Sequence, residues 1–86
     1  MRSMYYVYED GHDELIGLAP DYESIIDGLI ESQWLHEKVE IVDENDNLFL
    51  LKEKLGKNWL DKIRLWNIEK FNTFFDGVLW IIKMNI

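Results

Sequence analysis

A chain of 86 residues is one domain's worth of sequence, and 48% hydrophobic with 14% aromatic residues is enough to build a core, which excludes a disordered chain. The absence of cysteine excludes a disulfide framework, a thiolate zinc site and a cysteine nucleophile, and fits a reducing cytoplasm. The net charge of −8 is lopsided: residues 1–46 carry 13 Asp/Glu against two Lys/Arg, a balance of −11, and residues 47–86 carry four against seven, a balance of +3. An acidic exterior repels nucleic acid and anionic membranes and attracts cationic protein surfaces.

Met1 and Met4 serve equally well as the initiator. No apolar run approaches the ~18 residues of a membrane span, and Glu9, Asp10, Asp13 and Glu14 break up any signal-like stretch at the N-terminus. Residues 5–8, aromatic and β-branched, predict a strand. Asp10-Gly11 marks a hairpin turn, because glycine adopts positive φ without steric cost, and residues 15–18 form the return strand. A turn centred on Asp10-Gly11 faces Val7 with Glu14; a longer loop faces Glu9 with Glu14, which repel. Both registers remain open on the sequence.

Pro20 opens a helix with Asp21 near its N-cap. Tyr22, Ile25, Ile26, Leu29 and Ile30 fall on one apolar stripe at helical period, which fades near residues 34–36. Residues 39–42 and 48–51 predict a second hairpin, in which Val42 faces Phe49 and Ile41 faces Leu50. Residues 52–55 continue as a helical turn ended by Gly56. Asn58, with Asp61 three residues on, reads as a variant of the capping box for another helix. Asn67 caps a further short helix carrying Ile68, Phe71 and Phe75, with Gly77 as its C′ residue. Residues 78–84 are a last strand with Val78, Trp80, Ile82 and Met84 on one face and Leu79 and Ile81 on the other. Apolar on both faces, it is expected at the centre of its sheet. The whole predicts a single α+β domain over residues 1–86: a small, mostly antiparallel sheet of four or five strands, two hairpins plus a central C-terminal strand, packed with one longer and one or two short helices.

Motifs with a chemical meaning are incomplete. His36-Glu37 begins a His-Glu-x-x-His zinc motif, but position 40 is Glu. Asp43-x-Asn45-x-Asn47 matches the first ligands of a calcium loop, but the required Gly and bidentate Glu are replaced by Leu48 and Lys54, so a polar Asx-rich turn is the simpler reading. His12, Asp13 and Glu14 adjoin on one loop without a partner to converge with. No nucleophile–base pair, phosphate cradle or carboxylate dyad is readable, so no catalytic, cofactor or metal residue is assigned and no enzyme is expected.

The feature that remains is an acidic row. Glu23, Asp27 and Glu31 recur every four residues, which stacks them along one side of the first helix about 6 Å apart. Each like-charge pair costs roughly 0.2–0.5 kcal/mol, and no Lys or Arg occurs between Arg2 and Lys38 to relieve them. The spacing is also close to the ~6.8 Å of two axial steps along a DNA strand. The row reads either as a solvated face met by the cations of residues 52–64, or as an anionic patch extended by Asp43, Glu44 and Asp46, and by Asp10, Asp13 and Glu14. The cations Lys52, Lys54, Lys57, Lys62 and Arg64 with Trp59 and Trp66 resemble a nucleic-acid surface only locally, against the overall charge. Trp34, Trp66 and Phe74 fall at the margins of the apolar stripes, as core residues or as interface anchors.

In size and acidity the chain is similar to small proteins that inhibit nucleic-acid-processing enzymes, nuclease immunity proteins and phage-encoded inhibitors of host defence among them. Gly56-x-Asn58-x-x-Asp61 resembles the Gly-x-Asn-x-Asp stretch of barstar-like inhibitors, with one residue more in the spacing. The N-terminal hairpin departs from that topology, and no functional residue carries over. The expectation is a cytoplasmic protein-binding domain of the inhibitor or immunity type. Glu23, Asp27, Glu31, Asp43, Glu44 and Asp46 would meet a basic partner, with no cofactor, no direct nucleic-acid contact and no membrane. The alternative is a structural or accessory subunit that self-associates.

Overall fold

The computed structural model describes residues 2–9, 14–43 and 45–85. Chain order is β1 (Ser3–Glu9), β2 (Glu14–Ala19), α1 (Tyr22–Glu31), β3 (Glu40–Val42), β4 (Leu48–Leu50), α2 (Leu51–Leu55), α3 (Trp59–Leu65), α4 (Ile68–Phe74) and β5 (Leu79–Asn85). This is an α+β fold, as expected, with all observed pairings antiparallel.

The five strands form two sheets, not one: β2-β1-β5 and a separate β3-β4 ribbon. β1 is central, and β5 lies at an edge, which corrects the expected central C-terminal strand. The register pairs Glu9 with Glu14, the longer-loop alternative; the Asp10-Gly11 turn, and His12 and Asp13 with it, lie outside the described residues. The pairing slips between Val7 and Tyr8, so that Ile16 is an extra residue on β2.

The ribbon also differs by one residue from expectation, pairing Ile41 with Phe49 and Val42 with Leu48. The reason is local. The Asp43 amide donates to the Asn47 carbonyl at 3.0 Å, and the Asp43 carboxylate accepts from the amides of Asn45 and Asn47 at 2.8 and 2.9 Å. The loop therefore spans five residues from Asp43 to Asn47, with Asp46 at φ 62°. Ile41 turns inward, and Val42 and Leu48 turn out.

Asp21 caps α1: extended at φ −148°, it accepts from the Ser24 amide at 2.7 Å. The helix ends at Glu31, short of residues 34–36, because the amides of Trp34 and Leu35 turn back onto the Leu29 carbonyl through Gln33 at φ 68°. Asn67, also extended, caps α4 by accepting from the Lys70 amide at 2.9 Å. Asn58 does not form the expected capping box: its backbone is near-helical (φ −94°, ψ 25°), which turns the side chain away from the first-turn amides. Gly77 has the anticipated left-handed φ of 83°, two residues past the α4 cap at Phe75.

One core joins the pieces. Ile25, Ile26 and Leu29 of α1 share it with Val7, Ala19, Leu79 and Ile81 of the sheet, with Leu35, with Ile41 of the ribbon, and with Leu51, Ile63, Phe71 and Phe75. Phe71 and Phe75 stack at 4.5 Å, with Tyr22 edge-on to Phe71 at 6.3 Å. Trp34, Trp66 and Phe74 pack against this core part-buried, so core packing is the reading the structure supports for them. Among the described residues Asn72 is the buried polar one. Its Nδ2 donates to the Ile81 carbonyl at 2.8 Å, and its Oδ1 accepts from the Ile81 amide at 2.7 Å. An asparagine side chain thus stands in for a neighbouring strand at the outer edge of β5, where the Leu79 amide is likewise taken by the Phe75 carbonyl.

Candidate functional site

The acidic row sits where the helical period puts it. Glu23, Asp27 and Glu31 are exposed on the side of α1 turned away from Ile25 and Leu29. They are not equivalent. Arg64 of α3 donates from Nη2 to the Asp27 carboxylate at 2.7 Å, so the middle charge is met by one of the later cations. Glu23 and Glu31 have no ion pair among the described residues. Lys52 similarly meets Glu37 at 3.3 Å. Such exposed pairs contribute about 0–1 kcal/mol each; their importance here is that they subtract from the anionic surface.

The second hairpin contributes less free charge than its sequence implies. The Asn47 amide above all, with the Asn45 amide, the Asn47 side chain and the Lys54 charge, holds the Asp43 carboxyl below the usual carboxylate range against the opposing effect of desolvation. Asp43 is thus a turn-building residue. Asp46 is exposed, and Glu44 lies outside the described residues. α1 packs on β1, β2 and α3, whereas Asp43 faces a cleft shared with Phe49, Lys54, Phe74 and Asp76. The helix row and the hairpin therefore have different neighbours. Among the described residues no three His, Asp or Glu side chains converge as metal ligands, and the His36 ring is engaged locally, accepting at Nδ1 from the Lys38 amide at 3.2 Å.

Most of the cationic stretch is also engaged within the fold. Lys62 donates to the Leu55 carbonyl at 2.6 Å, Lys54 lies 5.1 Å from the Phe49 ring centre, and Lys70 lies 5.4 Å from that of Trp66. This favours internal pairing over a basic nucleic-acid surface.

Sequence reasoning missed a different surface. The paired positions of the three-stranded sheet place Met4 beside Met84, Tyr6 between Leu18 and Ile82, and Tyr8 between Leu15 and Trp80, all on the face opposite Val7 and Ile81. Every one of these side chains is uncharged. Ile82 is 39% and Leu18 57% exposed, with Trp80, Leu15 and Met84 between them. The alternation that shows this was visible in residues 78–84; what was missing was that α1 packs on the other face and that α4 reaches this one only beside Trp80. No family model, curated protein or solved structure matches this chain, so its function is argued from these surfaces.

Proposed function

We propose that the chain acts by binding another protein rather than by catalysis, and that a basic partner surface docks on the acidic side of α1. The observation that supports this is the pair of free carboxylates, Glu23 and Glu31, about 12 Å apart along one helix in a chain of net charge −8. Asp27, between them, is already met by Arg64, and Asp43, Glu44 and Asp46, in the sequence of the second hairpin, add to the net charge of the partner-binding chain. The role is that of an inhibitor or immunity-type protein against a basic nucleic-acid-processing partner, of phage or mobile-element origin. It needs no cofactor and no direct contact with nucleic acid or membrane, and a cysteine-free chain suits it to the cytoplasm. No helix among the described residues is long and apolar enough to cross a membrane.

Electrostatic docking of this kind makes association fast and salt-sensitive. The test is a capture experiment from the native cell with wild-type bait and with Glu23→Lys/Glu31→Lys bait, the fold checked by circular dichroism. A basic protein retained by the wild type, lost on charge reversal and eluted by moderate salt is the expected result. Retention that ignores the reversal would reject the helix as the docking side. A second reading, a structural or accessory subunit, is favoured by the open apolar sheet face.

A further inference from the structure

We infer that the uncharged face of the three-stranded sheet is a self-association surface, on which a second copy of this chain stacks sheet against sheet. The inference is independent of the acidic side of α1 and supplies the second reading above with its partner.

Three observations carry it. The first is area. Leu15, Leu18, Trp80, Ile82 and Met84 are 39–57% exposed and Met4, Tyr6 and Tyr8 partly so. They make a patch of roughly 600 Å², at the upper end of single apolar patches on monomers, to which only the rim need be added to approach the ~800 Å² each partner gives to a standard interface.

The second is charge. A two-fold dimer brings a patch against itself, so the patch must be self-complementary. The eight side chains are uncharged and charges stand at the rim, Glu69 and Asp76 beside Trp80 and Arg2 beside Met4, whereas the free carboxylates Glu23 and Glu31 sit on a helix packed on the other face. Two chains of net charge −8 can stack at the ~10 Å of packed sheets without opposing those carboxylates. The same net charge disfavours an anionic lipid surface as the occupant.

The third is the treatment of the edges. The outer edge of β5 is closed at Ile81 by Asn72 and at Leu79 by Phe75, and β2 carries the extra residue Ile16. Both devices obstruct strand addition. The sheet is protected against edge pairing while its apolar face is left open, which directs association to the face.

Sedimentation velocity or light scattering of the full chain at ~50 µM, well above the dissociation constant of a typical stable dimer, tests this directly. The expected mass is twice the 10.4 kDa of one chain. Leu18→Lys and Trp80→Lys, each at an exposed position, should return the mass to that of a single chain, a loss of affinity of at least ~100-fold. Leu65→Lys, 87% exposed on α3, and Glu23→Lys/Glu31→Lys should leave the dimer intact, which separates this test from that of the acidic helix. A wild-type monomer at this concentration overturns the inference and needs no variant to be read. So does a dimer that survives both sheet-face substitutions, or a wild-type monomer that binds neutral phosphatidylcholine vesicles. Should Trp80→Lys unfold, Met84→Glu near the strand end, with circular dichroism alongside, reads the same face.

Discussion

Both faces of the three-stranded sheet are apolar at their centre, yet one is core and the other is surface. Leu79 and Ile81 of β5, the strand that α4 packs on, are buried, and their neighbours Trp80 and Ile82 on the same strand stay in water. Hydrophobic side chains need a covering layer to be buried, and here α1 packs on β1 and β2 and α4 on β5, while α2 and α3 pack on the ribbon and on other helices. An apolar pattern is therefore a statement about what a strand can bury, and the count of available layers decides what it does bury.

That contrast is sharpest at Ile81 and Ile82, adjacent residues 1% and 39% exposed. Ile81→Ala should cost about 2–5 kcal/mol by the transfer and cavity terms. Ile82→Ala should cost under about 1 kcal/mol when unfolding is measured at high dilution, where any dimer is dissociated. Urea titrations of the two variants decide this; equal losses would mean that the outer face is covered within the single chain. Next in size is the edge device. Asn72→Ala strips partners from a buried amide and carbonyl and should cost about 1–3 kcal/mol, with faster hydrogen exchange at the Ile81 amide and a greater tendency to aggregate. If exchange at Ile81 is unchanged, Asn72 is not what closes that edge.

The inner layer has a further tie, from the Tyr22 hydroxyl to the Ile63 carbonyl at 2.7 Å. Tyr22→Phe should cost about 0.5–1.5 kcal/mol. Burial pushes the Tyr22 hydroxyl well above the ordinary tyrosine range. The stability this implies is present below the unfolded pKa of about 10 and is lost as pH rises beyond it; the phenylalanine variant should lose less on alkaline titration. The smallest effect expected lies away from both faces, at the Asp43 turn. Its depressed carboxyl contributes stability above the unfolded value of about 3.9 that fades as pH falls through the lower folded value. Urea midpoints between about pH 5 and pH 2 should therefore fall less in Asp43→Asn than in the wild type.

Legibility followed locality. Asp21 and Asn67 were readable as caps because each precedes a helical stripe and each has the extended backbone that a cap requires. Asn58 looked the same in sequence and failed, since the short turn from Gly56 holds its backbone near-helical. The second hairpin was legible as a hairpin but not in its register, which the Asp43 carboxylate sets by closing on the Asn47 amide, leaving one residue fewer between the strands than the expected Val42–Phe49 pairing. Asn72 gave no signal of its own: an asparagine in a short helix announces nothing until β5 is placed beside it. The acidic row on α1 was legible as a row. That Arg64, 37 residues further on, meets only its middle member was not.

Taken alone, the amino-acid sequence determined the class of fold, the ends of most elements and the alternation of side chains along each strand. These depend on backbone propensity and periodicity within a few residues. Tertiary structure alone decided which strand is central, which apolar face is buried, which carboxylates keep their charge free and how the β5 edge is closed. Each of those outcomes depends on which distant segment comes to lie alongside, and so on the limited number of layers that 86 residues can supply.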